Sequence, residues 1–111
     1  MSEIPVKTLI FNHEKFFIPE AASGVNADIQ YRLSGDEGGD YIVRIADGQC
    51  KVQEGVLDTP TVTLSADGRD FADVLTGRAN GMQYFMLGKL KLAGDLNLAM
   101  KLTQFFRMTG Q

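Results

Sequence analysis

Few side chains in this sequence can do covalent chemistry. It holds one cysteine and one histidine. A thiol beside an imidazole is the smallest nucleophile–base pair, because the base removes the proton that masks the sulfur. Cys50, however, falls mid-strand on an inward-facing position, where cysteine usually behaves as a small apolar side chain. His13 falls on the first helix and is expected to be partly exposed or locally hydrogen-bonded. Both are read as structural. So few histidines and cysteines also leave a protein-built zinc site without ligands. Asp36, Glu37 and Asp40 share one glycine-rich turn, but it lacks the twelve-residue spacing of a calcium loop and reads as solvated. No glycine-rich stretch carries the Lys-Ser/Thr pair of a phosphate loop. The expectation is no catalytic residue, no metal and no cofactor; the chain is read as not an enzyme.

What the sequence does supply is adaptable apolar surface. Met82, Met86, Met100 and Met108 all fall in the last third, interleaved with Phe85, Phe105 and Phe106. Methionine is flexible and polarisable, so it repacks around variable partners. The same residues at helical spacing also make an ordinary core, and their pattern alone leaves both readings open.

Composition limits the classes. At 111 residues, 44% hydrophobic and 23% charged, the chain suits one globular domain, taken as 1–111, with enough length for a core. No apolar run approaches the ~18 residues of a membrane span. Met1-Ser2-Glu3-Ile4-Pro5 lacks the cationic start and apolar centre of a signal peptide. A single cysteine fits a reducing compartment. The net charge of −3 hides a split: residues 1–76 carry 13 acids and six bases, whereas residues 77–111 carry only Asp95 against Arg78, Lys89, Lys91, Lys101 and Arg107. The whole is too acidic for a general nucleic-acid binder, and no nucleic-acid partner is expected. The basic third is either a solvated face or a face for anionic headgroups.

The elements that must position these residues can be read from periodicity. Leu9, His13, Phe16 and Phe17 share one face of a helix expected over about 6–17, stopped by Pro19. Ala27–Leu33 alternates as a strand, and a glycine-rich turn leads to a second over Tyr41–Ala46. Asp47-Gly48 is a two-residue hairpin signal that sets Ile45 opposite Cys50 and Val43 opposite Val52. Gly55 to Pro60 returns the chain to a fourth strand over 61–65. Asp67 should cap a helix with Phe71, Val74 and Leu75 inward and Gly77 at its end. Asn80 should cap a short helix with Met82, Phe85 and Met86 on one face. Lys89 to Leu92 is a fifth strand with its lysines on one side, and Gly94-Asp95 opens a last helix running to about Arg107. On that helix Asn97, Lys101 and Gln104 form a narrow polar strip. Its apolar face is wider than one sheet can cover, so it is buried between neighbours, meets a second copy, or lines a cavity.

Laid end to end, several segments resemble the sterol carrier protein-2 family. These are Tyr41-x-x-x-Ile45-x-Asp47-Gly48 with Glu54-Gly55, Pro60-Thr61-Val62-Thr63-Leu64, Phe71-x-x-Val74-Leu75-Thr76-Gly77, Gly88-Lys89-Leu90-Lys91-Leu92-x-Gly94-Asp95 and Leu98-Ala99-Met100-Lys101-Leu102. The likeness runs from about Ile10 to Phe106. It implies an α+β fold, a five-stranded, mostly antiparallel or mixed sheet covered by helices, with an apolar tunnel between the layers. It also implies non-catalytic binding and transfer or presentation of a lipid: a fatty acid, a fatty acyl-CoA or a sterol-like ligand. The tunnel residues it implies are Met82, Phe85, Met86, Met100, Leu102, Phe105 and Phe106. From the charge of the basic third and the faces they project from, Lys89, Lys91 and Lys101 are expected to meet a headgroup or, transiently, an anionic membrane. Some relatives have a polar residue where this chain has Leu87, so selectivity for a hydroxylated sterol is not expected if that position faces the tunnel. Thr109-Gly110-Gln111 is not a peroxisomal address, and the expected placement is cytoplasmic. The alternative is an accessory or scaffold protein for a lipid- or quinone-modifying enzyme. Either a monomer or a homodimer is compatible with the sequence.

Overall fold

Five strands form one sheet in the order β3-β2-β1-β4-β5 in the computed structural model, which describes residues 4–107. The strands are β1 (Ala27–Ser34), β2 (Gly39–Ala46), β3 (Gln49–Glu54), β4 (Val62–Asp67) and β5 (Leu90–Gly94). Met108 and the terminal segments 1–3 and 109–111 lie outside the described residues. Three strand pairs are antiparallel and the β1–β4 pair is parallel, so the sheet is mixed as expected. Asp47 and Gly48 both take positive φ, 54° and 74°, the primed turn whose twist matches its flanking strands. Ile45 then pairs with Cys50 and Val43 with Val52, as the alternation predicts.

Alternation assigns each face. Ile29, Tyr31, Tyr41, Val43, Ile45, Cys50, Val52, Val62 and Leu64 are buried on one side, under the helices. The other side is largely polar, with Arg32 paired to Asp40 and Arg44 to Asp28. Across that polar side runs the 55–61 connection. Because β3 and β4 both run parallel to β1, this segment is a crossover rather than a simple return. It is latched by Gln30, which is fully buried: Nε2 donates to the Gly55 carbonyl at 2.9 Å, and Oε1 accepts from Leu57 N at 2.7 Å. A buried amide is tolerated here because its hydrogen-bonding groups are engaged.

The helices are α1 (Val6–Phe11), α2 (His13–Phe16), α3 (Gly68–Leu75), α4 (Gly81–Met86) and α5 (Leu96–Lys101), with 3-10 turns at Pro19–Ala22 and Leu102–Phe105. The helix expected over 6–17 is thus two pieces that meet at Asn12. The break lets Glu14 Oε2 accept from Val52 N at 2.6 Å and close the β3 edge. The helix expected to run from Asp95 to Arg107 ends at Lys101. Beyond it the chain tightens into the 3-10 turn and straightens, so Phe106 bridges Phe17 while Arg107 N donates to Phe16 O at 2.9 Å. No helix among the described residues is long and apolar enough to cross a membrane.

Candidate functional site: an apolar cavity between sheet and helices

Register and capping place the walls. Leu64 pairs with Leu92 and Ala66 with Leu90, so Leu64, Leu90 and Leu92 face the helices from β4 and β5. Opposite them stands α3, fixed at its start by Asp67, whose Oδ1 accepts from Arg69 N at 2.9 Å and Asp70 N at 3.1 Å. This capping agrees with the sequence reading, as does that of Asn80, whose Oδ1 accepts from Gln83 N at 3.1 Å at the start of α4. Both helices end on a left-handed glycine. At the end of α4, Gly88 N donates to Phe85 O and Lys89 N to Tyr84 O, the paired bonds that only a residue at ease with positive φ completes; Gly77 does the same for α3. Asp95 caps α5 through Leu98 N.

These elements enclose a cavity of about 480 Å³. Its depth is made of buried side chains: Leu64, Phe71, Leu75, Leu90 and Leu102. Its mouth is made of exposed ones: Met82 and Phe85 from α4, Leu96 and Met100 from α5. Side-chain polarity is confined to Asn80, whose oxygen is already used as a cap, and Thr103. The volume lies in the range of small-molecule sites, roughly 300–1,000 Å³. Such a wall offers an alkyl chain contact everywhere and a buried polar group almost no partner.

Of the seven apolar residues proposed from the sequence, Met82, Phe85, Met100 and Leu102 line this cavity together. Three do not. Met86, the last residue of α4, is 79% exposed and lies off the wall. Phe105 and Phe106 are buried in the core instead. The helix expected to carry them turns about 100° per residue, but the 3-10 turn advances about 120°, and each step rotates the chain further from the cavity. Phe106 ends 4.4 Å from the His13 ring and 5.8 Å from that of Phe17, centre to centre. Leu87, 66% exposed, also lies off the wall. The sequence reading placed Phe71, Val74 and Leu75 on one helix face without assigning that face to the cavity. Leu64, Leu90 and Leu92 were missed as lining too, although strand alternation marks them as inward.

The three lysines separate. Lys91 alternates with Leu90 and Leu92, so it projects from the opposite face of the sheet and shares no side with the cavity. Lys89 stands at the end of α4 with Nζ 4.9 Å from the centre of the Tyr84 ring, and Lys101 is exposed at the end of α5.

His13 and Cys50 are not poised for catalysis. His13 is fully buried, against the expectation of partial exposure, while the expected local bond is present. Its Nδ1 lies 3.0 Å from Leu9 O, a carbonyl that can only accept, so Nδ1 carries the proton and Nε2 accepts from the Tyr31 hydroxyl at 2.9 Å. Burial lowers its pKa to about 4, so it stays neutral. Burial, reinforced by the nearby Glu14, pushes the Cys50 thiol up to about 12. The acidic turn is likewise committed: Glu37 accepts from Val6 N and Arg69, and Asp40 pairs with Arg32.

A mixed five-stranded sheet with helices on one face and an apolar cavity between them defines a lipid-carrier type of architecture. The profile of the SCP-2 sterol transfer family matches residues 10–107, and the chain belongs to that family. Among its relatives, hydroxysteroid dehydrogenase-like protein 2 of Xenopus tropicalis is 37% identical over 84 residues, 75% of this chain. The chain spans about a fifth of the length of that relative. Among solved structures, palmitated SCP2L2 of Aedes aegypti superposes with a TM-score of 0.72 at 26% identity, covering 94% of this chain and 93% of that one. The UbiJ-SCP2 ubiquinone synthesis protein shares the fold at a TM-score of 0.73 and 14% identity, with 90% of each chain covered.

Proposed function

We propose that this chain binds single-chain amphiphiles, fatty acids or fatty acyl-CoA, without catalysis, and presents or transfers them. The observation that carries the reading is the gradient along the cavity: buried and wholly apolar in its depth, exposed at its mouth. An acyl tail enters first and its polar end stays at the rim, near Asn80, Thr103 and the lysines at the ends of α4 and α5. A sterol finds no buried polar anchor in the depth. The palmitated relative supports an acyl ligand. Burying about twelve methylenes at ~0.8 kcal/mol each gives roughly 10 kcal/mol of gross driving force. Association and ordering oppose it by at least ~4 kcal/mol, which leaves dissociation constants near the micromolar range or weaker.

Calorimetry with a fatty-acid series tests this. Affinity should rise with chain length and then level off once the cavity is filled. Met100→Lys puts a charge on the wall and should weaken binding far more than Asn97→Lys on the polar strip. Flat chain-length dependence, or equal effects of the two substitutions, would remove the cavity from the mechanism. A second reading, a module working beside a lipid- or quinone-modifying enzyme, draws on the relatives in which the matching stretch is one part of a much longer chain. Native mass spectrometry separates the two: co-purified lipid supports carriage, and a stable partner with an empty cavity supports the accessory role.

A further inference from the structure

The two edges of the sheet are finished differently. Successive residues of a strand turn their N–H and C=O groups to alternate sides, so one bond fixes the direction of the rest. At the β3 edge Val52 N points outward, where it donates to Glu14 Oε2. At the β5 edge the fixed point is Asp95 N, which donates inward to Thr61 O at 3.0 Å. By alternation Lys91 and Ala93 also turn inward to β4, and Leu90, Leu92 and Gly94 turn outward. The register carried across the sheet from Val52 gives the same assignment. No described residue is hydrogen-bonded to the outward groups of β5. Ala93 and Gly94 are exposed, and β5 holds neither a proline nor a charge on its helix-facing side, two of the devices that keep an edge from pairing.

The residues of this edge select its partner, because β5 is complementary to itself. Paired antiparallel about a two-fold axis at Leu92, it sets Leu92 against Leu92, Leu90 against Gly94, Lys91 against Ala93 and Lys89 against Asp95. The last pair is complementary in charge. Lys89 has no carboxylate partner among the described residues, and Asp95 caps α5 with Oδ1, leaving Oδ2 for the ammonium. Lys89 N and Asp95 N are committed within the chain, to Tyr84 O and Thr61 O, so neither competes with the pairing. In this register every outward group of β5 finds a partner. An axis centred on Lys91 would oppose the two Lys91 side chains, which is unfavourable, and one centred on Ala93 would leave Leu90 out of the ladder.

We infer that β5 pairs with β5 of a second copy, joining two five-stranded sheets into one of ten strands. Residues opposite one another across a ladder share a face, so Leu90 and Leu92 of both copies stand on the side where they line the cavities. The two cavities then lie side by side on one face of the joined sheet. Two edges of five residues make a small interface, below the roughly 1,000 Å² of a permanent one, so the dimer forms reversibly as concentration rises. The pairing rests on main-chain direction and register and does not depend on what the cavity holds.

Sedimentation velocity of the full chain over about a hundredfold range of concentration tests this. Monomer should give way to dimer as the concentration rises. Ala93 is exposed on the polar face of the sheet, off the cavity wall, and stands opposite Lys91 of the second copy. Ala93→Lys should weaken the dimer about tenfold, because the two-fold axis repeats the clash of lysines, and Ala93→Glu should strengthen it several-fold. Lys89→Glu, set against Asp95, should weaken it by a smaller factor. Amide hydrogen exchange locates the contact. The Leu92 and Gly94 amides should exchange quickly in dilute protein and slow on concentration, whereas the Ala93 amide, already bonded to β4, should be slow in both. A chain that stays monomeric throughout, or a dimer that responds equally to Ala93→Lys and Ala93→Glu, overturns the proposal. So does a Leu92 amide protected in the dilute monomer, which would show the edge covered within the chain. Protection of that amide only by an added extended acidic peptide would give the edge to a different partner and overturn the self-pairing.

Discussion

The two ends of the sheet spend similar apolar side chains in opposite ways. Beside β3, α1 buries Val6, Leu9 and Ile10 and α2 buries His13 in the same core as Tyr41, Val43 and Ile45, and the polar groups trapped there are matched: His13 to Leu9 and Tyr31, Glu14 to the β3 edge. Over β4 and β5, α4 and α5 bury no residue of their own at all. Met82, Phe85 and Met100 stand at a cavity mouth, half in water. The first arrangement is what close packing demands, and it leaves no room for a ligand. The second forgoes that burial and keeps an internal space open. Close packing is concentrated at one end and open apolar surface at the other.

The strongest way to break this contrast is to truncate one side chain at each end. Ile45→Ala empties a fully buried position and should cost about 2–5 kcal/mol in denaturant unfolding. Met100→Ala, at a mouth residue 58% exposed, should change stability by no more than about 0.5 kcal/mol while weakening acyl binding. A large stability loss at Met100 would mean that the cavity is ordinary core.

Acid should act through the closed end. His13 titrates near 4 when folded and near 6.5 when unfolded, so the unfolded state binds the proton first. Stability is full above pH 6.5, falls by about 2 kcal/mol by pH 5, and levels off below pH 4 after a loss of about 3 kcal/mol. Protonation also removes the Nε2 lone pair that accepts from Tyr31. Unfolding free energies that stay flat between pH 7 and 5 would mean that His13 reaches water, and the two ends would then differ less than their burial suggests.

How much of this was legible beforehand follows the same division. Strands, hairpin register and helix caps are local: the Ile45–Cys50 pairing, the Asp67 and Asn80 caps and the Gly77 stop could be read from short windows and stand in the structure. The cavity wall was half legible, because Met82, Phe85 and Met100 are marked by type. Phe105 and Phe106 were misplaced because nothing in residues 101–106 announces the change from α to 3-10 winding. That change is imposed from a distance, by Phe17 pairing with Phe106 and by Ile18 N donating to Phe105 O at 2.7 Å. His13 escaped for a similar reason, since its partner Tyr31 is 18 residues away and on another element. Lys91 was legible in principle, as its alternation with Leu90 and Leu92 already sets it on the far face.

The smallest effect belongs to Cys50, and it probes how tightly the closed end is sealed. The thiol is 8% exposed and faces the helices from β3, an edge strand whose outer N–H at Val52 is held by Glu14. Desolvation raises its pKa, so at neutral pH it is protonated as well as covered, and the thiolate is the reactive form. Labelling should therefore be slow in the native state and fast in denaturant. Cys50→Ala should cost only about 1 kcal/mol, since little volume is lost, and should leave acyl binding intact. Glu14→Ala should speed native labelling more than it lowers global stability, because it frees one edge bond and lets β3 open locally. If Glu14→Ala leaves labelling unchanged, packing alone holds the edge; if labelling is fast before any substitution, that end is no more closed than the cavity mouth.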